Sequence, residues 1–272
     1  SSPEKRTGEV IRLLNKLQFY TQMATETEIS ITQTFQTWTY FLTTTARLYK
    51  YPFNEQLMIF AQRPDATACA SYDLWNRTMG RYVRRGSKGI ALIDTSGDKP
   101  HLKYVFDVSD TGEGKNARSP YLWQYRQEHE SAVSKALEQH FYVSGRNNLG
   151  EQLEHIATQL TNEYWNDHKT DILNAVSDSF LADLDDLNIE VAFRNAASVS
   201  TTYVLWSRCG LEPENYFEHE DFLSIFDFNT PDIVAELGTA ISECSEQVLR
   251  QIETTIKHYE REKFAERSQH YE

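Results

Sequence analysis

The chain reads as an α+β protein. A small basic module of helices and antiparallel strands, residues 1–110, precedes an acidic all-α helical bundle, residues 121–272, with a linker loop at 111–120. Three observations lead there. Charge is unevenly divided: residues 1–105 hold 14 Lys+Arg and 9 Asp+Glu, whereas 106–272 hold 13 and 31, so a net of +5 is followed by a net of −18. Short apolar runs punctuated by glycine fill positions 66 to 108, while beyond 120 the apolar residues recur at steps of three and four. Between these regions SDTGEGKNARSP, residues 109–120, has the Gly/Ser/Asn/Pro density of a loop.

From Thr7 to about Met23, Val10, Leu13, Leu14, Leu17 and Tyr20 form one apolar stripe at helical spacing, and the Thr/Glu-rich ATETEIS reads as a connection. Thr34 to Tyr49 sets Phe35, Trp38, Phe41, Leu42, Thr45 and Leu48 on one helical face until Pro52 stops it. Asn54 is placed to cap a third helix, Glu55 to Gln62, which Pro64 ends. Ala66 to Ala70 predicts a short strand, and Tyr72 to Met79 a helical turn or two carrying Trp75.

Tyr82-Val83 then ends a strand, Arg85 to Gly89 makes a tight connection, and Ile90 to Ile93 begins a buried strand, together a hairpin. Leu102, Tyr104, Phe106 and Val108 alternate with Lys103, Val105 and Asp107, as a half-buried strand does. Beyond the linker the periodicity predicts helices over 124–141, 149–168, 171–187 and 189–209, the last closed by Gly210. Phe222 to Phe228 reads as an aromatic turn. Thr230-Pro231-Asp232 opens a final long helix running to about Phe264, and the polar tail REKFAERSQHYE reads as the way out to a following domain.

Composition narrows the function classes. No apolar run approaches the roughly 18 residues that cross a bilayer, so no membrane partner is expected. The polar start SSPEKRTGEV has no signal-peptide character, and its lack of Met suggests a trimmed beginning. Cys69, Cys209 and Cys244 are widely spaced and odd in number, which fits free thiols in a reducing cytoplasm. Eight histidines are scattered without cysteine pairing, as surface or capping residues are, so no metal and no cofactor is expected. No phosphate-binding GxxxxGK[ST] run, nucleophile elbow or methylase-like glycine motif occurs, and Asp183, Asp185 and Asp186 read as a solvated face. The segment is therefore expected not to be an enzyme.

Binding is what remains. Arg77, Arg81, Arg84, Arg85 and Lys88 follow one another between Asp73 and Asp94 without an acid, with Arg63 nearby and Tyr72, Trp75 and Tyr82 interleaved. Single-stranded nucleic acid is held by such a combination, cations for the backbone and rings for the bases. Gly86 and Gly89 let a polymer backbone approach closely. Alternation places Tyr82 and Arg84 outward together, with Val83 buried on the same face as Arg81; Trp75 reads more readily as core than as a stacking platform. Asn54 and Gln56 are placed to read a base or phosphate, capping being the other use of Asn54.

The stretch YPFNEQLMIFAQRPDATACASYDLWNRTMGRYVRRGSKGIALID resembles the N-terminal single-stranded-DNA-binding domain of the ArdC antirestriction family. In that pattern a helix with Asn-x-Gln leads to Gln-x-Pro-x-Ala, a Trp, and a basic Val-x-x-Gly-x-Lys-Gly turn. Here the positions are Asn54, Gln56, Gln62, Pro64, Ala66, Trp75, Val83, Gly86, Lys88 and Gly89. More widely, HLKYVFDVSDT, LDDLNIEVAFRNAASVS and FNTPDIVAELG make the chain similar to the leading segment of large polyvalent proteins on conjugative elements of Firmicutes. Those continue into adenine-methylase and helicase regions. The resemblance implies single-stranded DNA as partner, with downstream methylase or helicase domains as further ones. It does not extend to the metalloprotease-like part of ArdC proteins, because neither His129-Glu130 nor His219-Glu220 is followed by the second histidine of His-Glu-x-x-His. The rival reading is an interaction protein whose acidic helices mimic DNA and occupy a restriction or CRISPR-type host nuclease, or cover the basic face from within.

Overall fold

The computed structural model describes residues 3–145 and 148–269, with side chains over 10–145 and 148–267; His270 lies outside them. The helices are α1 Pro3–Ile31, α2 Phe35–Arg47, α3 Phe53–Gln62, α4 Glu130–Phe141, α5 Leu149–Ala175, α6 Asp186–Cys209 and α7 Pro231–Gln269. The strands are β1 Cys69–Ser71, β2 Arg81–Val83, β3 Ile90–Asp94, β4 His101–Asp107 and β5 Thr111–Glu113. The molecule is thus α+β, mostly helical with a small antiparallel component. Two sheets are formed: β1-β4-β3, and the pair β2-β5. No helix among the described residues is long and apolar enough to cross a membrane.

Helix α1 does not stop at Met23. It runs through ATETEIS because the threonines satisfy themselves within the helix: Thr25 donates to the Thr21 carbonyl and Thr27 to that of Met23. The expected apolar stripe is not core either; Val10, Leu13 and Leu14 are each more than half exposed. Helix α2 begins where Thr34 accepts the Thr37 amide at 3.1 Å, and it buries Trp38, Phe41 and Leu42. Helix α3 starts two residues earlier than Asn54 would dictate, with Pro52 at its cap.

Strand β4 reverses the expected alternation. Val105 and Asp107 are buried while Tyr104 is 40% exposed, since the face turned inward ends in a carboxylate with work to do. The helix expected over 171–187 is not continuous: α5 persists to Ala175, Asp178 adopts φ 65°, and a 3-10 turn follows at Phe180–Asp183. Gly210 ends α6 in the left-handed region at φ 69°. His129 is buried and accepts the Arg126 amide, a capping role at the start of α4.

One apolar core runs through the molecule. Trp38 and Phe41 of α2 and Phe53 and Leu57 of α3 belong to the same cluster as Ile156 of α5, Phe193 of α6 and Leu237, Ile241 and Ile252 of α7. Segments on both sides of the 111–120 stretch therefore line one interior. Polar ties cross it as well: Trp38 Nε1 donates to Ser200 Oγ at 3.0 Å and Thr32 Oγ1 to the Phe228 carbonyl at 2.7 Å. A second, smaller cluster of Leu48, Met58, Ile59, Ala66, Ile90, Leu92 and Val105 sits beneath the three-stranded sheet.

Two measurements test this packing. Gly238 of α7 lies against the Phe53 ring, so an added Cβ would come within 2.2 Å of it. Gly238→Ala is expected to cost about 1–3 kcal/mol by overpacking and to shift the urea midpoints of near- and far-ultraviolet circular dichroism together. Glu28 is the second. Burial first, and the carboxylate of Asp232 second, push its pKa up from 4.5 to about 7. A folded-state value above the unfolded one means stability is greatest below the ordinary value and declines as pH rises through the interval to about 7. Glu28→Gln is expected to melt above the parent chain at pH 8, the two converging as pH falls toward 4.5.

Candidate nucleic-acid interface

The basic segment is not a hairpin. Strand β2 pairs with β5 (Arg81 opposite Glu113, Tyr82 opposite Gly112), while β3 pairs with β4. Residues 84–89 thus bridge two sheets. The expected linker is also shorter than its composition implied, because Thr111–Glu113 is strand and Gly114 N donates to the Gly80 carbonyl at 3.1 Å. Ser87 N closes on the Arg84 carbonyl at 3.1 Å, so Arg85 and Gly86 are the central residues of a β-turn. Gly86 has φ 89°, which a type II turn requires at its third position.

A buried carboxylate sets the position of this turn. Asp107 accepts the amides of Thr67 at 2.7 Å, Ala68 at 3.0 Å and Ser109 at 3.0 Å, and also the Ser109 hydroxyl. Burial pushes its pKa up, but these donors outweigh burial and hold the carboxyl below its usual range. The 3-10 turn so fixed, Val108–Asp110, presents groups to the basic segment. Arg84 N donates to the Asp110 carbonyl, and Arg84 Nη1 to the Ser109 carbonyl at 2.9 Å. Arg63 reaches the same turn, with Nη1 on Asp110 at 2.7 Å and Nη2 on Ser109 Oγ at 2.8 Å.

The residues expected at the interface divide into two sets. Arg84, Arg85 and Lys88 are exposed, and the latter two have no hydrogen bond or ion pair among the described residues. Tyr82 is 54% exposed beside them, its ring over Gly112, where a Cβ would stand 2.4 Å away. Arg77 is also exposed, 3.5 Å from Asp73. Gly86 faces open space.

The second set is occupied inside the protein. Arg81 is buried, giving Nε to Thr111 Oγ1 at 2.8 Å and Nη1 to Glu113 at 3.1 Å; Val83, expected buried on its face, is half-buried. Arg63 is neutralised by Asp110 and Asp65. Trp75 is 2% exposed and donates to the Phe106 carbonyl at 2.8 Å, so it is core and no stacking platform. Gln56 is fully buried and ties the Leu48 and Tyr51 carbonyls, closing the turn between α2 and α3. Asn54 is exposed within the first turn of α3, neither at its cap nor near the basic turn's hydrogen bonds. Gly89 packs on Tyr104 and Phe106, with a Cβ at 3.2 Å from both, which is a reason of packing and not of ligand approach.

Folding adds residues that the sequence order concealed. The loop 114–118 turns back on the start of β2, with Arg118 N donating to the Met79 carbonyl at 2.8 Å. It brings exposed Lys115 and Arg118 back to the Met79-Gly80 stretch that leads into β2. Gln62 has a structural role: its amide donates to the Ala91 carbonyl at 2.8 Å and accepts the Ala91 amide at 2.9 Å, extending the edge of β3. An open groove of about 600 Å³ lies between Tyr20 and Met23 of α1, Gln62, Arg63 and Lys88. Among the described residues no group of three or more His, Cys, Asp or Glu is placed to hold a metal ion.

Removing the carboxylate under the turn tests whether it sets the site. Asp107→Asn is expected to lower stability by about 2–3 kcal/mol at pH 7, the worth of charged hydrogen bonds at a buried group. Asp107 has a depressed folded-state pKa, so its contribution is complete above the ordinary aspartate value and is lost as pH falls through the lowered one. The gap in urea midpoint between variant and parent should close at strongly acid pH. Compared with family models, curated proteins and solved structures, the chain matches none.

Proposed function

We propose that the front module binds single-stranded DNA across the turn formed by Arg84, Arg85, Gly86 and Lys88, with Tyr82 as a stacking surface and Arg77, Lys115 and Arg118 as outlying cations. The observation that carries this reading is the exposure of Arg84, Arg85 and Lys88 without a carboxylate partner, around an open glycine bend, in a chain of net charge −13. Acids are plentiful enough to neutralise these three, as Asp110 and Glu113 do for Arg63 and Arg81. An exposed cluster left unpaired in that setting is free for phosphate oxygens, to which guanidinium presents a matched fork. The exposed face of Tyr82 supplies what a base requires whatever its identity. This role is that of the ArdC-like domain the sequence resembles, and it involves no catalytic step in this segment.

Fluorescence anisotropy with matched single- and double-stranded oligonucleotides tests the proposal. Three phosphate contacts predict a log–log salt slope of about −2 on single strands, at roughly 0.7 per contact. Arg84→Glu combined with Arg85→Glu should flatten that slope and abolish most binding, whereas Arg63→Gln should leave the slope unchanged. Unaltered binding in the double variant removes the turn from the interface.

A further inference from the structure

Where the front helices meet the bundle lies a cleft of about 660 Å³, walled by Leu122 and Trp123. A smaller cavity of about 230 Å³ adjoins it. Arg47, the last residue of α2, and Arg208, in the last turn of α6, line both. The larger volume falls within the range that small-molecule sites occupy.

Neither arginine forms an ion pair with a carboxylate among the described residues. Arg47 donates Nε to the Ala66 carbonyl at 3.0 Å and Nη2 to the Pro64 carbonyl and Thr44 Oγ1. Arg208 donates Nη2 to the Trp123 carbonyl at 2.7 Å, with its guanidinium 3.6 Å from the centre of a Trp123 ring. Every acceptor is neutral. Nη1 of Arg47 and both Nε and Nη1 of Arg208 have no hydrogen bond among the described residues.

The acids that act on them through space have other partners: Asp65 and Asp107 act on Arg47, but Asp65 pairs with Arg63 and Asp107 holds backbone amides, while Glu253 acts on Arg208. Glu253 pairs with Lys50 at 2.8 Å and Lys257 at 3.2 Å and accepts the Tyr49 hydroxyl at 2.6 Å, while Tyr49 accepts Trp123 Nε1 at 2.9 Å. Glu212 and Glu214 line the cleft as exposed residues and form no ion pair with either arginine. Burial pulls both guanidiniums below their ordinary pKa range. Arginine does not discharge by losing its proton, so both half-buried guanidiniums stay cationic and keep N–H groups open to an anion in the cleft. Thr67 and Ser207 add hydroxyls to the lining that donate no hydrogen bond among the described residues.

We propose that this cleft binds an oxyanion, the phosphate group of a small phosphate ester, between Arg47 and Arg208, with the organic part of the ester against Leu122 and Tyr203. The site is separate from the basic turn and does not rest on DNA binding there. Inorganic phosphate, adenosine monophosphate and citrate, each titrated calorimetrically into the full chain, test it. Saturable binding of phosphate or the monophosphate is expected, weakened by roughly tenfold or more in Arg47→Gln and in Arg208→Gln. Arg84→Glu with Arg85→Glu should leave that binding as it was. A tighter monophosphate than free phosphate supports the ester, and citrate binding as well as either overturns the assignment to phosphate. No saturable binding of either phosphate species up to about 10 mM, or binding retained in the Arg47→Gln/Arg208→Gln double variant, overturns the site. Should those variants fail to fold, guanidinium resonances of the unaltered chain decide. Phosphate-induced shifts at Arg47 and Arg208 support the cleft, and shifts confined to Arg84 and Arg85 refute it.

Discussion

The Asp107 carboxylate is the constraint on which the front module depends. It sits at the end of β4, beneath the point where the chain leaves one sheet for the other, and it satisfies three backbone amides that otherwise have no strand partner. With the Val108 amide on the Ala68 carbonyl and the Thr111 hydroxyl on the Val108 carbonyl, it fixes the direction of the Val108–Asp110 turn. That turn in turn receives Arg63, the Arg84 backbone and side chain, and Ser87. A single buried charge thus positions several exposed ones. The geometry explains why an acid occupies the inward face of a strand, where an apolar side chain would leave those amides unsatisfied.

The cations of the front module obey a simple division. Arg81 is buried, and a buried charge must be paired, so Thr111 and Glu113 of the neighbouring strand take it up. Arg63 lies within reach of three side chains on its own surface and is pulled upward in pKa, chiefly by its hydrogen bond to Asp110. Arg85 and Lys88 are exposed and form no ion pair among the described residues, in keeping with the small worth of exposed ion pairs. Local fold therefore decides which members of one basic sequence run hold the protein together and which face outward.

Much of the helical architecture was legible. Thr34, Gly210 and Pro231-Asp232 mark helix ends through chemistry that acts within a few residues, whereas the Thr230 hydroxyl, read as a cap, forms no hydrogen bond among the described residues. The misreadings have a common origin in long-range effects. Nothing in RYVRRGSKGIAL reveals that β2 takes its partner some thirty residues later, so two neighbouring strands look like a hairpin. Likewise the alternation in HLKYVFD gives a strand but not its inward face, which Asp107 settles by what it meets. At the site, Tyr82, Arg84, Arg85 and Lys88 could be picked out because their exposure follows from local turn chemistry. Lys115 and Arg118 could not, since only the return of their loop to Gly80 brings them near.

Helix α7 spans 39 residues, roughly 58 Å at 1.5 Å per residue, and it seats Phe53 of the front module directly on Gly238. A fragment cut near residue 118 would leave Trp38, Phe41 and Phe53 as an uncovered wall. Such a piece would be prone to self-association, and any oligonucleotide affinity measured on it would report clumped material. The basic turn and the bundle share one interior, so changes on one are filtered through the stability of the other.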